Sequence, residues 1–235
     1  MTDLSSLETN PRDRAIGLAK SASSLFPGIG PFIVQLIVDD IPGQRIDRLA
    51  DFLERLAARV DAVEFQSQMM EPENIELLER GAEQSAHALS EDRRQQIATL
   101  VSAGISDDHQ KRIETKRLLN LLAALDDDQL VILTSQLTKH HRDFEFSNRH
   151  ESILTPVSLS LGSDQATRDR AALYDLARAE LVRLGLLRPH FQKPRKGEFP
   201  DLDENTGMMK ARGYALTTLG RLLLRTIGLC EPEDF

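Results

Sequence analysis

Ile46, Leu49, Leu53, Leu56, Val60 and Val63 recur at alternating steps of three and four residues. That period of about 3.5 marks one apolar seam along a helix. Between them stand Arg45, Asp47, Arg48, Asp51, Glu54, Arg55, Arg59 and Asp61, with Asp51 and Arg55 four apart in the supportive orientation. The pattern predicts a single helix of about six turns. The seam falls short of three heptads, which favours packing inside one chain. The alternative is an oligomer seam made by the same six residues.

The pattern upstream is different. Asn10 can cap a helix whose first position is Pro11, and Ile16, Leu18, Ala19 and Ala22 give it an apolar face up to Phe26-Pro27-Gly28. Leu25–Val38 then runs for 14 residues without a charge, too short for the ~20 residues of a membrane-spanning helix. The expectation is a buried helix from Pro31. Asp39–Gly43 would fold it back on the seam helix as a hairpin.

Four helix starts follow. Glu71-Pro72-Glu73-Asn74 opens a helix through Ile75, Leu77, Leu78, Ala82, Ser85, Ala86 and Leu89. Ser90-Glu91-Asp92 caps the next, with Ile97, Leu100 and Val101 inside and a stop near Gly104. Ser106-Asp107-Asp108 caps a third, with Ile113, Leu118, Leu119, Leu121 and Leu122 inside. Asp126-Asp127-Asp128 caps a fourth through Leu130, Val131, Leu133 and Leu137. The four are expected to form one compact antiparallel array.

Lys139–Thr167 breaks the periodicity and reads as a long polar loop, with a short strand or turn near Ile153–Val157. The helical period returns in Leu173, Leu176, Ala177, Leu181 and Leu184, expected as one apolar face. Gly185 stops that helix, and Leu186, Leu187 and Arg188 start a strand. A polar loop fills 189–212. Tyr214 and Leu216 return as a second strand, and Thr217 or Thr218 caps a last helix that ends near Gly228. The fold class expected is all-α: a multi-helix array with a C-terminal winged-helix unit carrying one small two-stranded wing. Its expected divisions are 1–68, 69–141 and 142–235.

Composition sharpens this picture. Aromatic residues are 5% and tryptophan is absent, a balance that disfavours an extensive sheet. Hydrophobic residues at 40% and charged residues at 28% are ordinary for a globular protein, so disorder is not the default. The net charge of −8 repels generic phosphate surfaces. Yet residues 168–196 hold eight Lys or Arg against Asp169, Asp175 and Glu180. Within this stretch Arg168, Arg170, Arg178, Arg183, Lys193, Arg195 and Lys196 are candidate contacts for nucleic acid or a partner protein. Against DNA, Asp175 and Glu180 lie in the helix that would read the groove, and Arg178 and Arg183 fall on different faces.

Candidate chemistry is thin. His140, His141 and His150 with Asp143, Glu145 and Glu151 match no established metal-ligand spacing, so a polar loop and no metal is expected. The Asp126–Asp128 triplet is better read as a helix start than as a magnesium site. A G-x-S-x-G elbow, a phosphate loop and a dinucleotide turn are all missing. The single cysteine, Cys230, rules out an internal disulfide and a cysteine zinc site. Neither an enzyme activity nor a cofactor is expected, and no small-molecule ligand is indicated. The N-terminal stretch has no secretory pattern, so a cytoplasmic location without a stable membrane span is expected.

Two resemblances add context. Leu184–Leu187 followed by Tyr214–Leu223 resembles the winged-helix domains of many prokaryotic regulators, a fold that serves DNA and protein contacts alike. Leu118–Leu130, Leu216–Arg225 and the Ile41–Arg48 step are similar to the prokaryotic abortive-infection alpha proteins. That resemblance implies phage defence by growth arrest or death of the infected cell, and it transfers no catalytic residue. The expected function is a non-catalytic helical interaction module in phage defence or stress response, working through a protein partner or self-association. The alternatives are a winged-helix DNA-binding regulator and a membrane-perturbing effector using residues 25–38.

Overall fold

The computed structural model describes residues 17, 43–140, 143–155, 160, 162–191, 194, 199–202, 207, 209, 211–231 and 234. The expected helix after Asn10, the apolar run Leu25–Val38 and its hairpin turn lie outside these residues. Most described residues are helical, and the strands form one small antiparallel pair. The chain divides into two units, Met1–Ala123 and Ala124–Phe235.

The first unit contains α1 (Gly43–Ala57), α2 (Ala62–Gln68), α3 (Pro72–His87), α4 (Glu91–Gly104) and α5 (His109–Ala123). The seam is realised over its first half. Ile46, Leu49, Leu53 and Leu56, joined by Phe52, are buried in the core, where α1 packs on α3 and α4. The expected six-turn helix is nevertheless broken. Its first part ends at Ala57, and Asp61 opens α2 by accepting from the amides of Val63 and Glu64. A side chain that satisfies two free amides competes with continuation of the helix. Val63 is consequently 79% exposed and outside the seam.

The predicted caps form where short polar side chains precede an apolar period. Ser90 Oγ accepts from Arg93 N at 3.2 Å, and Asp108 Oδ1 from Gln110 N at 2.9 Å. Glycine permits close approaches: a β-carbon at Gly81 would stand 2.5 Å from Val101 Cγ2, and one at Gly104 would strike Thr115. Leu89 does not extend α3, because the helix stops at His87 and Leu89 is 80% exposed. Asp51 ties α1 to α4, accepting from Arg55 Nε at 2.7 Å and from Arg94.

The second unit contains α6 (Asp127–Thr134), a 3-10 turn (Thr138–His140), α7 (Phe144–Arg149), α8 (Glu151–Leu154), α9 (Gln165–Arg183), β1 (Leu187–Phe191), β2 (Ala211–Leu216) and α10 (Thr218–Thr226). Asp126 and Gln129 make a reciprocal capping box at the start of α6. The expected four-helix array therefore loses its last member, since α6 packs on α8 and α9 of this unit. The long loop is also corrected. Asp143 Oδ1 accepts from Phe146 N at 2.9 Å and Glu145 pairs with Arg149 at 2.7 Å, which supports α7. Ile153 and Leu154 are helical rather than extended, and Pro156 and Val157 of the expected strand or turn lie outside the described residues.

From α9 onward the element order follows the sequence reading. Asp164 caps α9 through Thr167 N at 2.8 Å. Gly185 at φ 73° ends it, with Leu186 N bonded to Leu181 O and Gly185 N to Val182 O, both at 2.9 Å. This paired closure satisfies the orphan carbonyls and turns the chain into β1. The strands pair antiparallel with Leu187 opposite Leu216 and Pro189 opposite Tyr214, and the register shifts between His190 and Phe191. Thr217 caps α10 by accepting from Gly220 N at 3.0 Å and donates its hydroxyl to Gly185 O at 2.6 Å. One threonine thereby joins the end of α9 to the start of α10.

Candidate functional site

Two features of α9 bear on function: its inner side, which enters a cleft, and its outer side, which meets solvent. The buried residues of α9 are Ala171 and Leu181. Leu173 and Leu176, expected on the apolar inner face, are 66% and 53% exposed. The inward row is Ala171, Tyr174, Arg178 and Leu181, spaced by three and four residues. The helix is thus rotated from its sequence reading, because the strand ladder and α6 receive the row that carries Tyr174 and Arg178.

Tyr174 and Arg178 lie one turn apart, and Tyr214 reaches them from β2. The guanidinium carbon of Arg178 stands 4.0 Å from the ring centroid of Tyr214 and 5.2 Å from that of Tyr174. Stacking on a ring face keeps the planar N–H fork intact, with its edges open to a further acceptor. Among the described residues Arg178 has no carboxylate partner.

Across the cleft, the ring of His140 stacks on Phe146 with centroids 4.0 Å apart, and Phe146 meets His150 at 4.8 Å. His140 Nδ1 is 3.1 Å from Asp143 Oδ2. The backbone amide of Phe146, and then His140, hold the Asp143 carboxyl below its ordinary value. The cleft has a volume of about 380 Å³, and the described residues that line it, among them Arg178, Tyr174, Tyr214, His140 and Ser147, include no carboxylate.

The outer side of α9 carries Gln165, Asp169, Ala172, Leu176, Ala179 and Arg183, all exposed. Their steps are four, three, four, three and four, so they form one straight stripe. Its centre is apolar, flanked by Gln165 and Asp169 on one side and Arg183 on the other. Leu173 adjoins it, and Gln165 Nε2 donates to Asp169 Oδ1 at 2.7 Å.

The basic candidates are scattered. Arg168, Arg170 and Arg183 are exposed on α9, while Arg178 is half-buried and turned to the tyrosines. Lys193, Arg195 and Lys196 lie outside the described residues. Glu180 accepts from Gln129 Nε2 at 2.6 Å. Of the proposed oligomer seam, Ile46, Leu49, Leu53 and Leu56 are buried in their own unit, Val60 is half-buried and Val63 is exposed. His140, Asp143 and His150 sit close around Phe146, and His141 lies outside the described residues. Among the described residues no group of three or more His, Cys, Asp or Glu is arranged to hold a metal ion. None of their helices is long and apolar enough to cross a membrane.

Sequence reasoning missed the tyrosine–arginine–histidine grouping. The Tyr174-Arg178 spacing of four was visible on a helix. Tyr214 and His140 were not, because they arrive from segments 36 and 38 residues away from Arg178, and the sequence offers Arg178 only as a candidate contact for nucleic acid or a partner. Comparison with protein-family models, curated proteins and solved structures finds no match.

Proposed function

We propose that the chain is a non-catalytic helical interaction protein whose second unit is a winged helix, and that α9 is its contact helix, pairing with α9 of a second copy. The observation that carries this reading is the exposed stripe Gln165-Asp169-Ala172-Leu176-Ala179-Arg183. In a two-fold antiparallel pair Leu176 meets its own copy at the centre. Ala172 then faces Ala179, and Asp169 faces Arg183 of the second copy. A self-complementary patch of this kind is what a two-fold contact requires. Small residues beside the central leucine let two helices approach closely.

DNA readout suits the same stripe poorly. Ala172, Leu176 and Ala179 offer no hydrogen bond to a base edge, and Arg178, a natural reader, is stacked on Tyr214. The biological setting proposed, phage defence or stress response, rests on the resemblance to the abortive-infection alpha proteins.

A 19-residue helix is about 28 Å long. One such pair buries less than the ~1,600 Å² of a standard interface. Weak, reversible association is therefore expected, with a dissociation constant in the range of about 1 μM or above. Sedimentation of the full chain over a concentration series tests it. Asp169→Arg alone and Arg183→Asp alone should each weaken the dimer, and the double variant should restore it. A chain that stays monomeric throughout, or a double variant no better than the singles, overturns the pairing.

A further inference from the structure

We propose that the cleft between α9, β2 and the 3-10 turn is a binding site for the oxyanion of a small molecule, a carboxylate or a phosphate, with Arg178 as its receptor. This goes beyond the α9 pairing and does not depend on it, since it concerns the opposite side of the helix.

The argument begins with charge. A half-buried guanidinium without a carboxylate among the described residues is unfavourably placed unless an acceptor reaches it. The aromatic rings of Tyr214 at 4.0 Å and Tyr174 at 5.2 Å attract the cation without neutralising it. They leave the fork edges for a ligand, and a carboxylate or phosphate matches such a fork with two parallel hydrogen bonds.

The rest of the lining agrees. Its described residues include no Asp or Glu, and they add a histidine and hydroxyl and amide side chains. Asp143 engages the Nδ1 edge of His140 at 3.1 Å, which fixes the ring and leaves Nε2 as its other polar atom. Phe146, which also lines the cleft, stacks on that ring at 4.0 Å. A volume near 380 Å³ stands at the small end of ligand pockets, which run from ~300 to ~1,000 Å³. A compact ligand with one anionic group fits this volume. The apolar Ile132, Leu154 and Leu187 side chains also line the cleft and would cover the uncharged part of the ligand.

The chain offers its own reporter. Tyr174 and Tyr214 are its two tyrosines, and tryptophan is absent, so intrinsic fluorescence of the full chain reports on this cleft. Inorganic phosphate and acetate are titrated separately, each against sodium chloride at matched ionic strength, up to about 10 mM. A saturable change is expected with at least one anion, and the one that saturates earlier identifies the preferred chemistry. The change should be lost in Arg178→Gln and retained in Arg168→Gln. Arg178→Lys, which keeps the charge and removes the fork, should bind more weakly than the parent and decides the matter if the glutamine variant does not fold. Linear quenching with both anions overturns the site. So does a saturable response that the Arg178 variants leave unchanged.

Discussion

Gly220 shows how one missing β-carbon can hold a junction. It sits in the first turn of α10, and a β-carbon there would run into the carbonyl oxygen of Leu186 and lie 3.2 Å from Leu216 Cδ2. The same carbonyl accepts from Thr217 N at 3.0 Å. Backbone cannot swing aside as the tip of a lysine could, so the collision displaces α10 from the strand start. Gly220→Ala should lower stability by roughly 1–3 kcal/mol, the range for overpacking a tight contact, although alanine is the better helix former. Thermal denaturation followed by circular dichroism measures this, and an unchanged or raised melting temperature would show that α10 is not seated on Leu186.

At the scale of elements, α5 illustrates the difference between a periodic sequence and a packed face. Leu118, Leu119 and Leu122 are buried, with Leu119 and Leu122 at 0% exposure, whereas Leu121 is only half-buried. The reason is angular: 118, 119 and 122 share the side that packs on α3 and α4, and 121 turns to its margin. Leu119→Ala and Leu122→Ala should each cost about 2–5 kcal/mol, while Leu121→Ala should cost clearly less. Chemical denaturation of the three variants provides the comparison, and equal losses would contradict the packing of α5. The polar margins of the same helices are paired as well. Lys116 donates to Glu76 at 2.6 Å and Arg112 to Glu73 at 2.7 Å, both between α5 and α3.

Across the whole molecule the paired carboxylates set the response to acid. Burial pushes the Asp51 carboxyl up, but hydrogen bonds from Arg94 and Arg55 outweigh it and hold the group below its ordinary 3.8. The Lys116 hydrogen bond lowers Glu76 from 4.5, and His109 followed by Arg112 lowers Glu73. In the second unit Lys139 lowers Asp234, and Thr167 lowers Asp164. Each group has a folded pKa below its unfolded one. Its contribution is therefore present above 3.8 or 4.5 and is lost as pH falls through the lower folded value. Melting temperature should hold from neutrality to about pH 5 and fall steeply below about pH 4. Asp51→Asn should melt lower than the parent at pH 7 and lose less on acidification, so the two curves approach each other. Parallel curves would remove Asp51 from the acid response.

Local chemistry determined what the sequence by itself could show: the helix starts at Ser90, Asp108, Asp126 and Thr217, the stop at Gly185 and the strand return at Tyr214. Each depends on a side chain or a backbone freedom within a few residues of the feature it controls. Local rules also misled. The 3.5-residue seam ran past Ala57 on paper because its apolar spacing continues, while Asp61 captures the next free amides and ends it. Only the tertiary structure decided which side of α9 faces inward. Leu173 and Leu176 are as apolar as Leu181, so the period alone leaves the rotation open, and it is set by which row the strands and α6 can receive. That rotation places Arg178 against Tyr214 and leaves the Leu176 stripe in solvent, because a helix commits all its faces at once when one of them packs.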